Sequence, residues 1–377
     1  MKFVADKEIL YVKEAFSTLG EVELLTGNEI NHESTFDCDG IIVRTITKIT
    51  PTLLKKSRVS FIGTATSGTD HVDRNFLKKN QIEFASAPGC NAIAVAEFVI
   101  FALVAYSKKN DLSLKNQVLG IIGAGNAGTA LRKRAEILGI KCLLNDPPLE
   151  KKTQESKFVS LQDLIEQSNI ISLHVPLVKT GRFLTHHLIS ESVFRNLKND
   201  AIIINTSRGG VIDEEALLKY RDVFQGLILD VWENEPNIDK RVLKVTDIAT
   251  PHIAGYSKEG KIRATEIIYN AACRHFKVKP EWNSNQHKDF SKTPEIHVES
   301  TEDFPADVFK HVYDIALDDS SLRKIVTCSD PKKQFKELRN NYNFRNELSA
   351  FKLRIGSDLP AEVRSILLKL GCKPNDP

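Results

Sequence analysis

The chain opens on short apolar runs, KFVAD, EVELL, GIIVR, VSFIG and IEFASAP, separated by helical patterns such as EILYVKEAFSTLG, which Gly20 closes. Strands interleaved with helices predict a parallel sheet, because each crossover must run back across the sheet. Residues 91–109 read as one long buried helix. A second, cleaner alternation follows, with strand candidates QVLGII, KCLLND, IISLH, AIIIN, GLILD and DIAT. These runs lack strict alternation, as strands covered by helices on both faces should. The predicted class is α/β: two doubly wound, Rossmann-like parallel-sheet domains plus a small C-terminal α+β domain.

Beyond Pro251, residues 259–276 carry apolar side chains at Ile262, Ile267, Ile268, Ala271 and Ala272, and this helix is expected to return to the first domain. KVKPEWNSNQHKDFSKTPE is polar, contains two prolines and reads as a linker. From about residue 295 the patterns become shorter, more charged and mainly helical, as in DVFKHVYDIAL, QFKELRNNY and PAEVRSILLKL. The expected division is 1–92 with 255–285, then 93–254, then 286–377. Val308, Val312 and Ile315 in the tail suit either a self-contained core or a subunit interface.

Composition narrows the partners. A length of 377 residues is about two and a half times the typical single domain, so two or three packed units are expected. With 41% apolar and 27% charged residues, the chain has the make-up of a soluble globular protein. A formal charge of +3 does not argue for a nucleic-acid or membrane surface, so any anion must be held by local groups. The six cysteines form no CxxC pair and have no histidine at ligand spacing, so neither metal nor disulfide framework is expected. The N-terminus has no signal-peptide core, and the stretch 92–106, interrupted by Glu97, is too short for a membrane span. A cytoplasmic protein is expected.

Gly123, Gly125 and Gly128 form GxGxxG directly after the apolar strand QVLGII and before the helical TALRKRAEILG. In that setting the first glycine permits the tight turn, the second lets a pyrophosphate reach the backbone, and the third lets helix and strand pack closely. Asn126 and Ala127 between them open a helix whose free amides face the phosphates. Asp146 closes the next strand, at the distance expected of a carboxylate that accepts the ribose hydroxyls and repels a 2′-phosphate, so NAD is the expected cofactor.

Three later segments place polar residues at strand ends, where an open α/β sheet binds its ligands. AIIINTSRGGVID offers Arg208, whose planar fork matches a carboxylate. GLILDVWENEP offers Asp230 and Glu235, and DIATPHIAGYS offers His252. Glu235 can fix the tautomer of His252, so that the ring exchanges a proton near neutrality.

NTSRGGVID, LDVWENEP and PHIAGYS, in this order behind GIIGAGNAG, resemble the D-2-hydroxyacid dehydrogenase family over residues 1 to about 285. The resemblance implies that Arg208 binds the substrate carboxylate, that His252 is the acid and base, and that Glu235 supports it. It also implies that Asp230 contacts the nicotinamide carboxamide, and that residues 66–68 of FIGTATSGTDHVD hold the carboxylate through backbone amides. Thr45, Thr66 and Tyr256 would touch the substrate, and Gly255 the cofactor. Val175, in SLHVPL, departs from the threonine expected beside the cofactor. A phosphorylated 2-hydroxy acid and a homodimer built through the C-terminal domain come from the resemblance too, which favours the interface use of Val308, Val312 and Ile315. Arg44, Lys48 and Arg345 are candidate cations for the phosphate.

A 3-phosphoglycerate dehydrogenase would share every core motif, but the family member usually appends a βαββαβ regulatory domain, whereas this tail is mainly helical. A nicotinamide-sensing corepressor on the same fold is a non-enzymatic alternative. Because Asp146 repels a 2′-phosphate, the Michaelis constant for NAD is expected to be at least about tenfold below that for NADP. Initial rates with each cofactor check this, and a preference for NADP overturns it.

Overall fold

The computed structural model describes residues 1–287, 294–298, 304–355 and 360–374. Two units emerge, Met1–Asn91 with Ser257–Lys292, and Ala92–Tyr256 with Thr293–Pro377.

The first unit is a parallel sheet of β1 (Lys2–Asp6), β2 (Glu21–Leu25), β3 (Gly40–Val43), β4 (Phe61–Thr64) and β5 (Glu83–Ser86), in the order β2-β1-β3-β4-β5. The order reverses between β1 and β3, and this switch point is where an open α/β sheet leaves a crevice at its carboxyl ends. There Asp6, fully buried, takes Arg44 in a two-point ion pair, Nε to Oδ2 at 2.8 Å and Nη2 to Oδ1 at 3.2 Å. The helix Lys258–Phe276 does return to this unit, burying Ala264, Ile268, Tyr269 and Ala272 in a core with Phe3, Phe16 and Phe61. Near the N-terminus the helical run is shorter than its pattern suggests, covering only Val12–Phe16. Gly20 serves the entry to β2 instead, since the Met1 carbonyl oxygen lies 2.0 Å from where a Cβ would sit.

In the second unit β6 (Val118–Ile122), β7 (Lys141–Asn145), β8 (Ile170–Leu173), β9 (Ile202–Asn205), β10 (Gly226–Leu229) and β11 (Ile248–Ala249) run parallel in the order β11-β10-β9-β8-β6-β7. All eleven strands anticipated from apolar runs form, and the switch point lies between β6 and β8. A small parallel pair, β12 (Glu295–Val298) and β13 (Lys352–Ile355), completes the strands among the described residues.

The helix Ala92–Lys109 is buried almost all round, as its composition requires. It packs beside the helix Asn126–Ile137 and, on another side, beside Ala306–Val312 of the C-terminal segment. Phe101 and Phe309 meet at 4.8 Å between ring centres with the rings tilted by 45°, and Phe98 meets Tyr313 at 6.1 Å. Val308, Val312 and Ile315 are 5%, 9% and 4% exposed in this shared core, so they are spent within the chain and are not offered to a subunit interface. The acid in the helix, Glu97, accepts from Arg134 Nη2 at 3.2 Å and from the Leu348 amide at 3.1 Å. Burial, opposed by Arg134, pushes its carboxyl up to about 7.

Among the described residues no helix is long and apolar enough to cross a membrane. All six cysteines are free thiols. Because Phe309 is 2% exposed and wedged against Phe101, Phe309→Ala is expected to destabilise this unit by about 3–5 kcal/mol in urea denaturation. A loss below about 1 kcal/mol would mean that the C-terminal segment packs loosely there.

Candidate active site

The cofactor turn is built by sterics. Gly123 follows β6 with φ +96°, and a Cβ there would lie 2.6 Å from the His174 carbonyl oxygen at the end of β8 and 2.9 Å from Val175 Cγ1. A Cβ on Gly128 would strike the Gly123 oxygen at 2.0 Å, so helix and turn close only around glycine. On Gly125 a Cβ would meet nothing within 4 Å, and no side chain caps the helix that begins at Asn126. An open approach to uncapped amides at a helix N-terminus is the chemistry a pyrophosphate needs, so these residues fit a dinucleotide.

Asp146 follows β7 and holds this turn: Oδ2 accepts from the Ala124 amide at 2.9 Å and Oδ1 from Leu149, at the start of Pro147–Thr153, at 3.0 Å. A carboxylate has about four acceptor positions, so two lone pairs stay available for ribose hydroxyls. Lys151 and Lys152 are exposed.

At the end of β9, Asn205 shapes the turn that presents Arg208. Its Oδ1 accepts from the Ser207 amide at 3.0 Å and hydroxyl at 2.8 Å, and its Nδ2 donates to the Arg208 carbonyl at 2.9 Å. Arg208 is half-buried, with Nη1 donating to the Ser207 carbonyl at 2.8 Å. Behind it, Gly209 lies so close to Trp232 that a Cβ would sit 1.9 Å from the Trp232 carbonyl.

Asp230, after β10, is 1% exposed and organises the loop that carries His252. Its Oδ1 accepts from Thr250 Oγ1 and from the Ile253 amide, both at 2.7 Å, and Oδ2 accepts from the Ala254 amide at 3.0 Å. The His252 amide donates to the Asp230 carbonyl at 2.7 Å. Held this way, His252 adopts φ +60°, uncommon for a residue with a side chain and worth a functional explanation. Its Nδ1 lies 2.7 Å from Glu235 Oε2, while Oε1 accepts from the Trp232 amide at 2.9 Å. Burial alone would raise the Glu235 carboxyl, but His252, Arg339 and the Trp232 amide outweigh it and hold it below its ordinary value. The pairing engages Nδ1 and leaves Nε2 outside it.

Tyr256, half-buried, closes this loop beside Gly255. In the first unit, Thr45 is exposed just after β3, and Thr66 Oγ1 is 2.9 Å from both the Gly68 carbonyl and Thr64 Oγ1. Thr66 thus spends its hydroxyl on shaping its own loop. Of the cations considered for a phosphate, Lys48 is exposed and Arg44 is bound to Asp6. Arg345 is withdrawn from that role: it is 8% exposed and donates to the carbonyls of Ala94 and Ile253 at 3.0 Å, of Tyr256 at 3.2 Å and of Ala254. Among the described residues His186, His187 and Glu233 form the group with metal-capable spacing, but His187 Nε2 already meets Glu233 at 2.9 Å.

Residues 101–254 match the family described as D-isomer specific 2-hydroxyacid dehydrogenase, NAD binding domain, and residues 292–371 match a domain of unknown function. Across its whole length the chain is 40% identical to a Proteus mirabilis erythronate-4-phosphate dehydrogenase, covering 98% of both proteins, and 40% identical to the Escherichia coli protein of that name with the same coverage. The chain belongs to the erythronate-4-phosphate dehydrogenase family. Among solved structures it resembles an NAD-bound 3-phosphoglycerate dehydrogenase from Entamoeba histolytica, at 28% identity and TM-score 0.63 over 75% of this chain and 99% of that one. It also resembles a D-lactate dehydrogenase from Aquifex aeolicus in complex with NAD and lactic acid, at 27% identity and TM-score 0.58, over 74% of this chain and 96% of that one. An erythronate-4-phosphate dehydrogenase family member is thus an NAD-dependent 2-hydroxyacid dehydrogenase.

Sequence reading missed Asn205, Trp232 and Thr250, whose polar groups only shape the loops around Arg208 and His252. It also missed Arg339, which the C-terminal helix Pro331–Asn340 brings 3.9 Å from Glu235 Oε2 and 3.4 Å from the Tyr256 hydroxyl. The two glycines of the cofactor turn should separate binding from folding. Gly125→Ala is expected to keep Tm within about 2 °C while weakening NAD tenfold or more, and Gly128→Ala to lower Tm by several degrees. Calorimetric titration and thermal melts check this; a Gly125→Ala protein with unchanged NAD affinity would place the pyrophosphate elsewhere.

Proposed function

We propose that the chain oxidises the 2-hydroxyl of 4-phospho-D-erythronate to 2-oxo-3-hydroxy-4-phosphobutanoate, a step in pyridoxal 5′-phosphate (vitamin B6) biosynthesis. The observation that carries this reading is the 2.7 Å pairing of His252 with Glu235, in a chain 40% identical from end to end to erythronate-4-phosphate dehydrogenases. Bound NAD supplies the hydride acceptor for C2.

The residues divide the remaining work. Arg208 offers a planar fork to the C1 carboxylate and orients the adjacent C2 hydroxyl. His252, neutral at the outset, takes the hydroxyl proton at Nε2 as the hydride leaves C2. Glu235 stays ionised and stabilises the imidazolium that forms, through the bond to Nδ1. In the reverse direction the imidazolium returns its proton to the carbonyl oxygen. Asp230, by accepting from Ile253 and Ala254, keeps the His252 loop from relaxing, and on the family pattern it also serves the nicotinamide carboxamide. Val175 and Gly255 border the cofactor on that same pattern. Thr45, Thr66 and Tyr256 are assigned to the substrate by the family pattern alone. A cytoplasmic homodimer belongs to the same reading.

NADH formation with 4-phosphoerythronate, 3-phosphoglycerate and D-lactate measured side by side tests the substrate, with kcat/KM expected to be at least about a hundredfold higher for the first. A preference for 3-phosphoglycerate would sink the assignment. His252→Asn is expected to lower kcat by about 10²–10⁴-fold with NAD affinity within about threefold of wild type. Turnover retained within a few-fold would mean that another group carries the proton.

A further inference from the structure

The segment matched to a domain of unknown function reaches into the loop that carries His252 at several points. Arg345 fans its guanidinium across carbonyls of the 253–256 stretch and caps the Ala94 carbonyl of the long helix. Its charge also lies 4.9 Å from the ring centre of Tyr313 and 5.7 Å from that of Phe98. Tyr342 and Phe344 pack edge-on against Tyr256, at 5.9 Å and 6.0 Å between ring centres. One turn of chain earlier, Arg339 comes beside Glu235 and Tyr256, and its Nε is buried with no hydrogen-bond partner.

We propose that Arg339, held against the His252 loop by its C-terminal segment, is a positioning residue that sets the charge balance of the Glu235–His252 pair. The reason is electrostatic. Near Glu235, Glu214 on the helix Glu214–Tyr220 is a second withdrawn carboxyl, pushed up to about 7 by burial and further by Glu233, Asp239 and Glu235. Tyr256 is the further titratable group, and Arg339 supplies positive charge from the opposing element. Without it, the Glu235 carboxylate would act on His252 uncompensated, favour its imidazolium form and slow proton removal from the substrate hydroxyl. At 3.9 Å the guanidinium stabilises the Glu235 carboxylate without replacing its bond to Nδ1. The C-terminal segment is therefore part of the catalytic apparatus of its own chain.

This inference rests on His252 as the proton carrier, and its test separates that premise from the substrate assignment. In Arg339→Gln the low-pH limb of kcat/KM for the hydroxy acid is expected to move to higher pH by about half a unit, and Arg339→Lys to restore it. KM for 4-phosphoerythronate should stay within about threefold of wild type. Arg339→Met keeps the packing of the stem and gives the same charge loss, so a folding defect in Arg339→Gln does not decide the outcome. The titration of the His252 ring by NMR, identified by its loss in His252→Asn, should move in the same direction and needs no turnover. An unmoved limb and an unmoved ring titration overturn the proposal, as does failure of Lys to restore them. A large KM increase confined to phosphorylated substrates, with the limb unmoved, would make Arg339 a phosphate ligand instead.

Discussion

The loop proposed to carry the proton exchange depends on one buried carboxylate. An ionised group withdrawn from water costs several kcal/mol unless it is given donors, and Asp230 receives three, from Thr250, Ile253 and Ala254. Those donors all lie on the loop after β11, so satisfying the charge also dictates the loop's path. The left-handed backbone of His252 is tolerated because the residues on both sides are pinned to the same carboxylate. Its ring then meets Glu235, whose other oxygen is tied to the Trp232 amide, so acid and base partner are held by backbone bonds. Preorganisation of this kind would spare the proposed proton transfer any rearrangement.

The cofactor side of the same sheet is governed by exclusion of side chains. Gly123 and Gly128 are places where any Cβ would collide with a carbonyl, while Gly125 is a place kept open. Asp146 then fastens the turn to the next strand through the Ala124 amide. Both devices act at the carboxyl ends of parallel strands, where the sheet order reverses and a crevice is unavoidable. The C-terminal segment joins this frame through a core shared with the Ala92–Lys109 helix and through Arg345, whose charge is answered by carbonyl dipoles and aromatic faces. An arginine that spends its donors on backbone carbonyls stabilises a loop conformation instead of binding a ligand.

Much of this was legible along the chain. Eleven strands stand out because runs such as AIIIN and GLILD are apolar on both faces, and that demands burial between helix layers. Arg208 and His252 stood out as candidates because each comes three residues after such a run, and Glu235 because it stands in LDVWENEP, six residues past the end of β10. The helix near the N-terminus was overestimated because EILYVKEAFSTLG has helical periodicity throughout, yet Tyr11 takes a left-handed conformation and starts the helix one turn late. Val308, Val312 and Ile315 admitted two uses, and only packing against Phe98 and Phe101 chose between them. Arg339 sits in QFKELRNNY, a polar helix in which an arginine looks solvated, and no local spacing announces that it faces a glutamate a hundred or so residues earlier.

By itself, then, the sequence determined the class of sheet, the glycine turn proposed for the dinucleotide and the three residues expected to do the chemistry, because periodicity and glycine sterics are local and act within a few residues. Tertiary structure alone decided which charges are spent and which are aimed. Arg345 was a candidate anion ligand until its carbonyl partners appeared, Arg44 until Asp6 did, and Arg339 was unremarked until the fold set it beside Glu235. Electrostatic roles depend on distance through space and on removal from water, and neither is written in the order of residues along the chain.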